Sequence, residues 1–425
     1  MKSKFGGRKT AMMMEYGKKP LHNMKILLKW LFISITTGLI VGLFSVAFAH
    51  CMNYVTNFRE AHVYIHAALP LAGLLIVALY KICKKENEKG TNLVLSSISE
   101  EDDIPVTMAP LIFISTVTTH LFGGSAGREG AALQLGGSIA NSYGKVFKLN
   151  KADKKVIIMC GMSAAFAALF GTPMAAAIFS LEVVSTGIMY YGALLPAIFS
   201  ALVASRFAAG MGIHPEAFHV TEVPEFSVVS CGKVTAIAVI CAVVSILFCY
   251  SLRKIKGLLK DKFENAYVRV VVGALIVILL NLALQTTDYM GAGVHVIERA
   301  LEGNVVWYAF LLKILITSIT LGAGFKGGEI VPTLFIGATL GSTLGGLFGM
   351  SQSMCGALGM TALFCGVTNC PITSLLISFE LFGYKGVEYF LIAVAISYLM
   401  SGYTGLYGKQ QMMYSKSNVS IREEN

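Results

Sequence analysis

The chain has 425 residues, of which 55% are hydrophobic and 14% are charged, and its mean hydropathy is +0.68. Charged residues make up roughly a quarter of an ordinary soluble protein, so these values exclude a large water-exposed domain and indicate an integral membrane protein. Several apolar runs exceed the roughly 20 residues that a helix needs to cross the hydrocarbon, which favours helical spans over an outer-membrane barrel.

Five apolar runs, some of them broken by glycine or proline, follow one another in the first half of the sequence: 26–49, 63–82, 104–122, 156–185 and 190–213. Lysines and arginines cluster before the first run, after the second, and after a later run in the second half. Positive charge beside a span is typical of the cytoplasmic side. The sequence therefore predicts a basic cytoplasmic N-terminal segment at 1–24. The clusters lack the interleaved aromatic residues of a nucleic-acid site, and anionic membrane lipid is sufficient to explain them.

The second half of the chain repeats the first. The segment GMSAAFAALFGTPMAAAIFSLEV at 161–183 aligns without a gap with GMTALFCGVTNCPITSLLISFEL at 359–381, and a glycine-rich stretch containing a glutamate precedes each copy. Three pairs of residues are 198 apart, and the two upstream glutamates are 200 apart: Gly161 with Gly359, Pro173 with Pro371, Glu182 with Glu380, and Glu129 with Glu329. Two ordered motifs at nearly one offset indicate two homologous halves.

This repeat sets the predicted domain organisation, which comprises a first transmembrane repeat at 25–213, a linker at 214–228, a second repeat at 229–410 and a short polar tail at 411–425. An odd number of spans per repeat would invert the second one, and the apolar runs leave that number open. Interrupted apolar segments at matching places in two repeats indicate a binding site near the midplane of the bilayer. Here those places are the two glycine-rich motifs.

The first glycine-rich motif, GGSAGREG, predicts a helix that begins inside the membrane. The unpaired amides and positive dipole of a helix start form an anion site without a cationic side chain. Glu129 lies at this start, and a carboxylate at membrane depth costs about 2.5 to 3.5 kcal/mol on insertion scales. It is therefore a candidate for a gate that occupies the anion site when charged and carries a proton when neutral. The alternative is an ion pair with Arg128 that caps the helix.

The other carboxylates and one tyrosine have competing interpretations. Glu329 occupies the equivalent motif GGEIVP, although Lys326 nearby is able to neutralise it. Glu182 and Glu380 end their repeats and are expected to bond backbone groups at broken helices. Tyr407 could present its hydroxyl to a ligand, but spacing alone favours a residue of the interfacial aromatic belt.

Other chemistry has little support in the sequence. The eight histidines have no metal-ligand spacing, and the nine cysteines contain no CxxC pair, so free thiols are expected. A membrane enzyme with Glu129 and Glu329 as acid and base is an alternative of another class, but no nucleophile, metal site or cofactor motif accompanies them. We therefore predict no enzymatic activity and no cofactor.

GREG, GTPMAAAIFSLE and GGEIVP, in this order, resemble the CLC family of anion channels and anion/proton antiporters, and the likeness covers roughly residues 25 to 410. The resemblance implies an all-α fold of two inverted repeats of tilted, broken helices, assembled as a homodimer in a bacterial plasma membrane. It assigns the gating and proton-transfer role to Glu129 and Glu329. It also assigns anion contacts to either Thr91 or Asn92 and to the following residues: Gly127, Arg128, Glu129, Gly130, Ala131, Glu329, Ile330 and Tyr407.

Four positions depart from the chloride-transporting members of that family. GTNLVLSSI replaces their serine motif and places Thr91 or Asn92 at the anion contact. Ala131 replaces a proline, Glu329 replaces an aliphatic residue, and Val183 replaces an inner proton glutamate. Together these residues resemble the branch of fluoride/proton antiporters, which implies fluoride export driven by inward proton movement. A chloride/proton antiporter or chloride channel remains the alternative.

Overall fold

The computed structural model describes residues 3–86, 90–100 and 102–416, and side chains from residue 22 onward within them. Residues 1–2 of the predicted N-terminal segment, Lys89 of the second basic cluster and residues 417–425 of the predicted tail lie outside the described part of the chain. Within the described residues the protein is mostly helical.

Among the described residues of the first half there are eight helices: α1 Ser3–Ala61, α2 Leu69–Ile82, α3 Thr91–Ser99, α4 Met108–Leu121, α5 Glu129–Val146, α6 Lys151–Phe170, α7 Pro173–Glu182 and α8 Leu194–Gly210. The second half contains eight more: α9 Val228–Lys262, α10 Ala266–Leu284, α11 Val294–Leu301, α12 Ala309–Ala323, α13 Ile330–Phe348, α14 Gln352–Thr368, α15 Pro371–Phe382 and α16 Val387–Met400. Short 3₁₀ turns at Val63–Ala68 and Tyr191–Ala193 precede α2 and α8. The strands β1 Ser185–Thr186 and β2 Gln411–Met412 pair in parallel.

In the part of the chain that the structure describes, six segments are long and apolar enough to cross a membrane: His22–Ala61, Val63–Ile82, Tyr191–Gly210, Val228–Lys262, Ala266–Leu284 and Ile330–Phe348. Large apolar side chains on their outer faces are exposed, as on α1, where Leu28, Phe32 and Leu43 are more than half exposed. Such faces are unfavourable in water and favourable in lipid. The all-α membrane fold that the sequence predicts is confirmed.

Equivalent helices of the two halves are broken at equivalent residues. The apolar run 156–185 divides into α6 and α7 at Gly171, which has a φ of +75°, and α14 and α15 are divided at Asn369, with a φ of +56°. These two residues are 198 apart, the same separation as in the aligned motifs. Glycine and asparagine are the residues that adopt this left-handed conformation most readily, and Pro173 and Pro371 begin the next helices.

The two halves also pack their central helices in the same way. A Cβ at Gly136 on α5 would lie 2.2 Å from the carbonyl oxygen of Gly161 on α6, and a Cβ at Gly337 on α13 would lie 2.4 Å from that of Gly359 on α14. Because any side chain at these positions would overlap the facing backbone, glycine allows the closest approach of the two helices. Each repeat thus contains one rigid helix pair, and the glycine-rich motifs lie at the starts of α5 and α13, the first members of these pairs.

Candidate functional site

The two glycine-rich motifs meet at the centre of the protein. The amide of Gly127 donates to the carbonyl of Gly328, and the amide of Gly328 donates to the carbonyl of Gly127, both at 2.7 Å, in an antiparallel bridge. A Cβ at Gly328 would lie 2.5 Å from the amide nitrogen of Gly130, so only glycine fits there. The bridge therefore brings the N-terminal ends of α5 and α13 together, as a binding site formed by both motifs requires.

Glu129 is the first residue of α5 and is completely buried. Its Oε2 accepts a hydrogen bond of 3.1 Å from the backbone amide of Arg128. The Nε of Arg128 lies 3.4 Å from Oε1, close enough for charge attraction but not aligned for a hydrogen bond. The carboxylate therefore covers the amide-bearing end of its own helix, which is where a helix start attracts an anion.

The guanidinium of Arg128 has a closer carboxylate than Glu129. Its Nη2 lies 2.7 Å from the Oε1 of Glu216 and also donates at 3.4 Å to the carbonyl of Leu169, while its Nη1 donates at 3.4 Å to Asn53. The ion pair between Arg128 and Glu129, which the sequence offered as an alternative, is therefore present. Its N···O distance is longer than that of the ion pair between Arg128 and Glu216. Glu216 was missed because it lies in the predicted linker, 87 residues after Glu129.

One cavity, of about 300 Å³, adjoins the start of α13 and is called the Glu329 cavity here. Its polar lining includes Thr91, Asn92, Gln134, Glu329 and Tyr407. The Thr91 hydroxyl donates at 3.4 Å to the carbonyl of Gly130 and accepts at 3.3 Å from Gln134. Gln134, one turn into α5, was not predicted from the sequence, although its polar side chain in an apolar run was a usable signal.

Thr91 and Asn92 have different contacts. The sequence did not decide which of the two side chains contacts the anion. Both line the Glu329 cavity, but only Thr91 touches the start of α5. The Oδ1 of Asn92 accepts at 3.1 Å from the backbone amide of Lys409, two residues after Tyr407. Asn92 therefore holds the segment that carries Tyr407, whereas the hydroxyl of Thr91 lies beside the glycine bridge.

Tyr407 is buried and lines the Glu329 cavity, with its ring 6.4 Å from that of Phe179. Its hydroxyl has no hydrogen-bond partner among the described residues. The interpretation of Tyr407 as an interfacial belt residue, which spacing alone favoured, is wrong, because the chain after α16 turns back into the protein instead of leaving it at the membrane surface. Parallel pairing of β2 with β1 fixes that return.

A second cavity, of about 290 Å³, contains Glu129 and is called the Glu129 cavity here. Its other charged and titratable lining residues are Arg59, Glu60, His120, Arg128, Glu216 and His295. The Nη1 of Arg59 donates at 3.0 Å to the carbonyl of His120. The two motif glutamates therefore line different cavities, one on each side of the junction made by the glycine bridge. Ala131 and Ile330, at the starts of α5 and α13, are fully buried there.

Glu182 and Glu380 bond backbone groups at broken helices, as expected, but each does so in the other repeat. Glu182, at the end of α7, accepts from the amides of Ile372 and Thr373 at the start of α15, at 3.1 and 2.8 Å. Glu380, near the end of α15, accepts from two amides at the start of α7, both at 2.9 Å. These equivalent helices therefore run antiparallel, which is the relation expected of inverted repeats.

Comparison with known proteins agrees with this geometry. The family model of the voltage-gated chloride channel matches residues 72–402. A chloride/fluoride channel protein of Pseudomonas syringae pv. tomato is 34% identical over 403 residues, covering 93% of this chain and 89% of that protein. The crystal structure of a CLC-type fluoride/proton antiporter superimposes with a TM-score of 0.88 at 33% identity, covering 91% of this chain and 98% of that one. A slow cyanobacterial Cl⁻/H⁺ antiporter, at 19% identity, shares the fold with a TM-score of 0.74.

Proposed function

This chain belongs to the voltage-gated chloride channel (CLC) family of membrane transport proteins, and we propose that it is a fluoride/proton antiporter that exports fluoride. The observation that carries the proposal is the paired glycine motifs, with a glutamate of each repeat on either side of the junction. The likeness to a fluoride/proton antiporter and to a chloride/fluoride channel protein supports it.

The anion passes the junction where the N-terminal ends of α5 and α13 meet. The backbone amides from Arg128 to Ala131 and that of Ile330 supply the positive ends of the helix dipoles, whereas the amide of Gly127 is used in the glycine bridge, so the anion is held without a lysine or arginine bound directly to it. A site made of dipoles binds an anion more weakly than a site made of full charges, and a transported ion has to leave as well as enter.

Glu129 gates this passage. Its charged carboxylate covers the start of α5 and competes with the anion for the same amides. When Glu129 takes up a proton, the attraction to the helix dipole and to Arg128 is lost, and the side chain moves away and lets an anion enter. Each departure of Glu129 thus carries one proton. Glu329 lines the other cavity, on the opposite side of the junction. There it passes protons or anions to and from the position of Glu129.

Fluoride suits the polar lining of the Glu329 cavity. Fluoride is smaller than chloride, more strongly hydrated and a stronger hydrogen-bond acceptor, so a site that selects it has to replace its water with hydrogen-bond donors. The hydroxyls of Thr91 and Tyr407 and the amide of Gln134 supply such donors. Fluoride that enters a cell from acidified surroundings as HF dissociates in the cytoplasm, and inward proton movement then drives its export.

The same proposal includes the assembly and orientation of the protein. We infer a homodimer with one pathway per subunit from the likeness to the CLC family, and a cytoplasmic N-terminus because basic residues cluster beside α1, α2 and α9. Mass photometry in detergent tests the dimer, and labelling of a single engineered surface cysteine at position 25, in a chain from which the nine native cysteines have been removed, tests the orientation.

The decisive experiment is paired ion efflux from reconstituted liposomes. Vesicles are loaded with fluoride or with chloride, external anion is followed with an electrode, and internal pH is followed with a dye. We expect fluoride efflux accompanied by proton uptake, little chloride efflux, and no proton movement in Glu129→Gln. Glu302→Gln, which changes an exposed carboxylate, is the matched control.

Two results contradict the proposal in different ways. Fluoride efflux without proton movement in the wild type identifies a channel, and equal efflux of fluoride and chloride favours the chloride alternative. Proton coupling that persists unchanged in Glu129→Gln removes Glu129 from the gating role.

A further inference from the structure

Arg128 contacts two carboxylates at once. Its Nη2 lies 2.7 Å from Glu216, and its Nε lies 3.4 Å from Glu129. The side chains of Arg128 and Glu216 are 17% and 16% exposed, and that of Glu129 is completely buried. At such depth an ion pair is screened much less than at a surface, so each carboxylate affects how strongly the guanidinium holds the other.

The position of Glu216 is fixed by the break between α6 and α7. The amide of Glu216 donates at 3.3 Å to the carbonyl of Phe170 at the end of α6. The neighbouring Pro215 packs directly on Gly171, where a Cβ would lie 2.4 Å from the proline ring. The segment that carries Glu216 is therefore held against the rigid helix pair of the first repeat, and Glu216 stays beside Arg128 whatever the position of the Glu129 side chain.

This fixed carboxylate answers a difficulty in the gating step. If Glu129 leaves in its protonated form, Arg128 loses one of its two anionic partners while it remains largely buried. A buried charge left without a partner is strongly unfavourable, and it would pull Glu129 back as a carboxylate. With Glu216 at 2.7 Å, Arg128 keeps its stronger partner throughout.

We infer that Glu216 is a positioning residue that holds Arg128 as its permanent counter-ion and thereby sets the pH at which Glu129 is released. This inference rests on the proposed role of Glu129. Removal of the Glu216 charge leaves Glu129 as the nearest carboxylate to Arg128 and also removes a negative charge from the surroundings of Glu129. Both changes favour the charged form of Glu129, so more acid is needed to open the gate.

The other titratable groups around Glu129 are left unaltered by the Glu216 substitutions. They come from every element that lines its cavity and from the facing repeat: Arg59 and Glu60 on α1, His120 on α4, His295 on α11 and Glu329 at the start of α13. Glu60 is the useful one for a control, because it is exposed, lines the same cavity, and contacts Arg59 at 3.5 Å rather than Arg128.

The test measures fluoride efflux as a function of pH for the wild type, Glu216→Gln and Glu60→Gln in liposomes. We expect the midpoint for Glu216→Gln to lie about one pH unit below that of the wild type, the lower end of the effect of an opposite charge placed within contact distance. Glu60→Gln removes the same charge from the same cavity and is expected to leave the midpoint within a few tenths of a unit. Glu216→Asp, whose carboxylate is withdrawn by one methylene, is expected to give an intermediate shift.

A second comparison shows whether the shift acts through Glu129. In a Glu129→Gln background the pH dependence of residual fluoride flux should be the same with and without Glu216→Gln. A shift of the midpoint that survives in this background overturns the inference. In the wild-type background, equal midpoints for Glu216→Gln and the wild type also overturn it, and so do equal shifts for Glu216→Gln and Glu60→Gln. If Glu216→Gln does not fold, Glu216→Asp decides by the same criteria. Absence of fluoride/proton exchange in the wild type refutes the proposed function instead.

Discussion

Glu182 and Glu380 occupy equivalent positions, yet their removal should have unequal costs. Each carboxylate accepts from two backbone amides at the start of the facing helix. Glu182 also accepts a third bond, of 2.6 Å, from the hydroxyl of Thr373, whereas Glu380 faces Ala175 at the equivalent position. Glu182 is buried and Glu380 is half-buried. The structure therefore predicts that Glu182→Ala destabilises the protein more than Glu380→Ala.

The magnitudes follow from the number of hydrogen bonds. An unsatisfied buried donor costs about 1 to 3 kcal/mol, and a hydrogen bond to a charged group contributes about 1.5 to 3 kcal/mol. Of the two residues whose amides donate at each helix start, the earlier one, Met174 or Ile372, is exposed, so the amide of the residue that follows it dominates. We expect Glu380→Ala to lower the free energy of unfolding by about 1 to 3 kcal/mol. For Glu182→Ala, the loss of the Thr373 bond raises this to about 3 to 6 kcal/mol.

The native cysteines provide the assay. All nine are free, and six of them are buried: Cys160, Cys241, Cys249, Cys355, Cys365 and Cys370. A thiol-reactive dye therefore reports global unfolding in detergent as temperature or denaturant is raised. Thr373→Val is the matched control, because in this background Glu182 keeps only its two amide bonds and its removal should cost about as much as that of Glu380.

Two outcomes would refute this reasoning. Equal losses for Glu182→Ala and Glu380→Ala in the wild-type background would mean that the Thr373 bond contributes nothing. A Glu182→Gln variant with wild-type stability but without proton coupling would instead make Glu182 part of the transport pathway.

Three further predictions concern other parts of the structure. Thr91→Val keeps the volume of the side chain but removes the hydroxyl beside the glycine bridge, so fluoride flux should fall about tenfold relative to chloride flux, the equivalent of one hydrogen bond to an anion. Gly136→Ala places a methyl group 2.2 Å from the backbone of α6 and should abolish the monodisperse peak in size-exclusion chromatography, whereas Gly257→Ala, with no atom within 4 Å, should not. Partial burial raises the pKa of Asp288, in the loop before α11, but hydrogen bonds and charges from Arg299 and His295 outweigh it and hold the pKa below 3.8. The stabilising effect of ionised Asp288 is therefore complete above the pKa of the unfolded state and is lost as pH falls through the lower pKa of the folded state. Asp288→Asn should reduce the free energy of unfolding by at most about 1 kcal/mol at pH 7 and not at all near pH 2.

The features that the sequence predicted depend on residues close together in the chain. The motifs that reveal the repeat, the breaks before Pro173 and Pro371, and the helix start at Glu129 are each contained in a short segment. The contacts that the sequence did not predict join distant segments. The spacing of 198 residues between Glu182 and Glu380 identifies them as equivalent but does not say that each bonds the start of the other's helix, because that depends on the direction in which the repeats pack.

Burial of a polar residue was predictable only where an apolar run surrounded it. Gln134 lies in such a run and stands out in sequence, but Glu216 lies in a polar segment and does not. The prediction of an interfacial position for Tyr407 was wrong for a related reason, since aromatic residues near the end of a span are usually interfacial. Its burial depends on the return of the chain to β1, a contact across more than 200 residues.

The antiparallel packing of α7 and α15 has a consequence for the two motif glutamates. A two-fold relation that reverses equivalent helices also exchanges the two sides of the glycine bridge, so a residue that lines one cavity in the first repeat has an equivalent that lines the other cavity in the second. The starts of α5 and α13 follow this relation: Glu129, the first residue of α5, lines one cavity, and Glu329, one position earlier as the N-cap of α13, lines the other. Duplication and inversion of one helix start therefore provide a position for a titratable group beside each cavity. A repeat duplicated in parallel would have placed both carboxylates towards the same side.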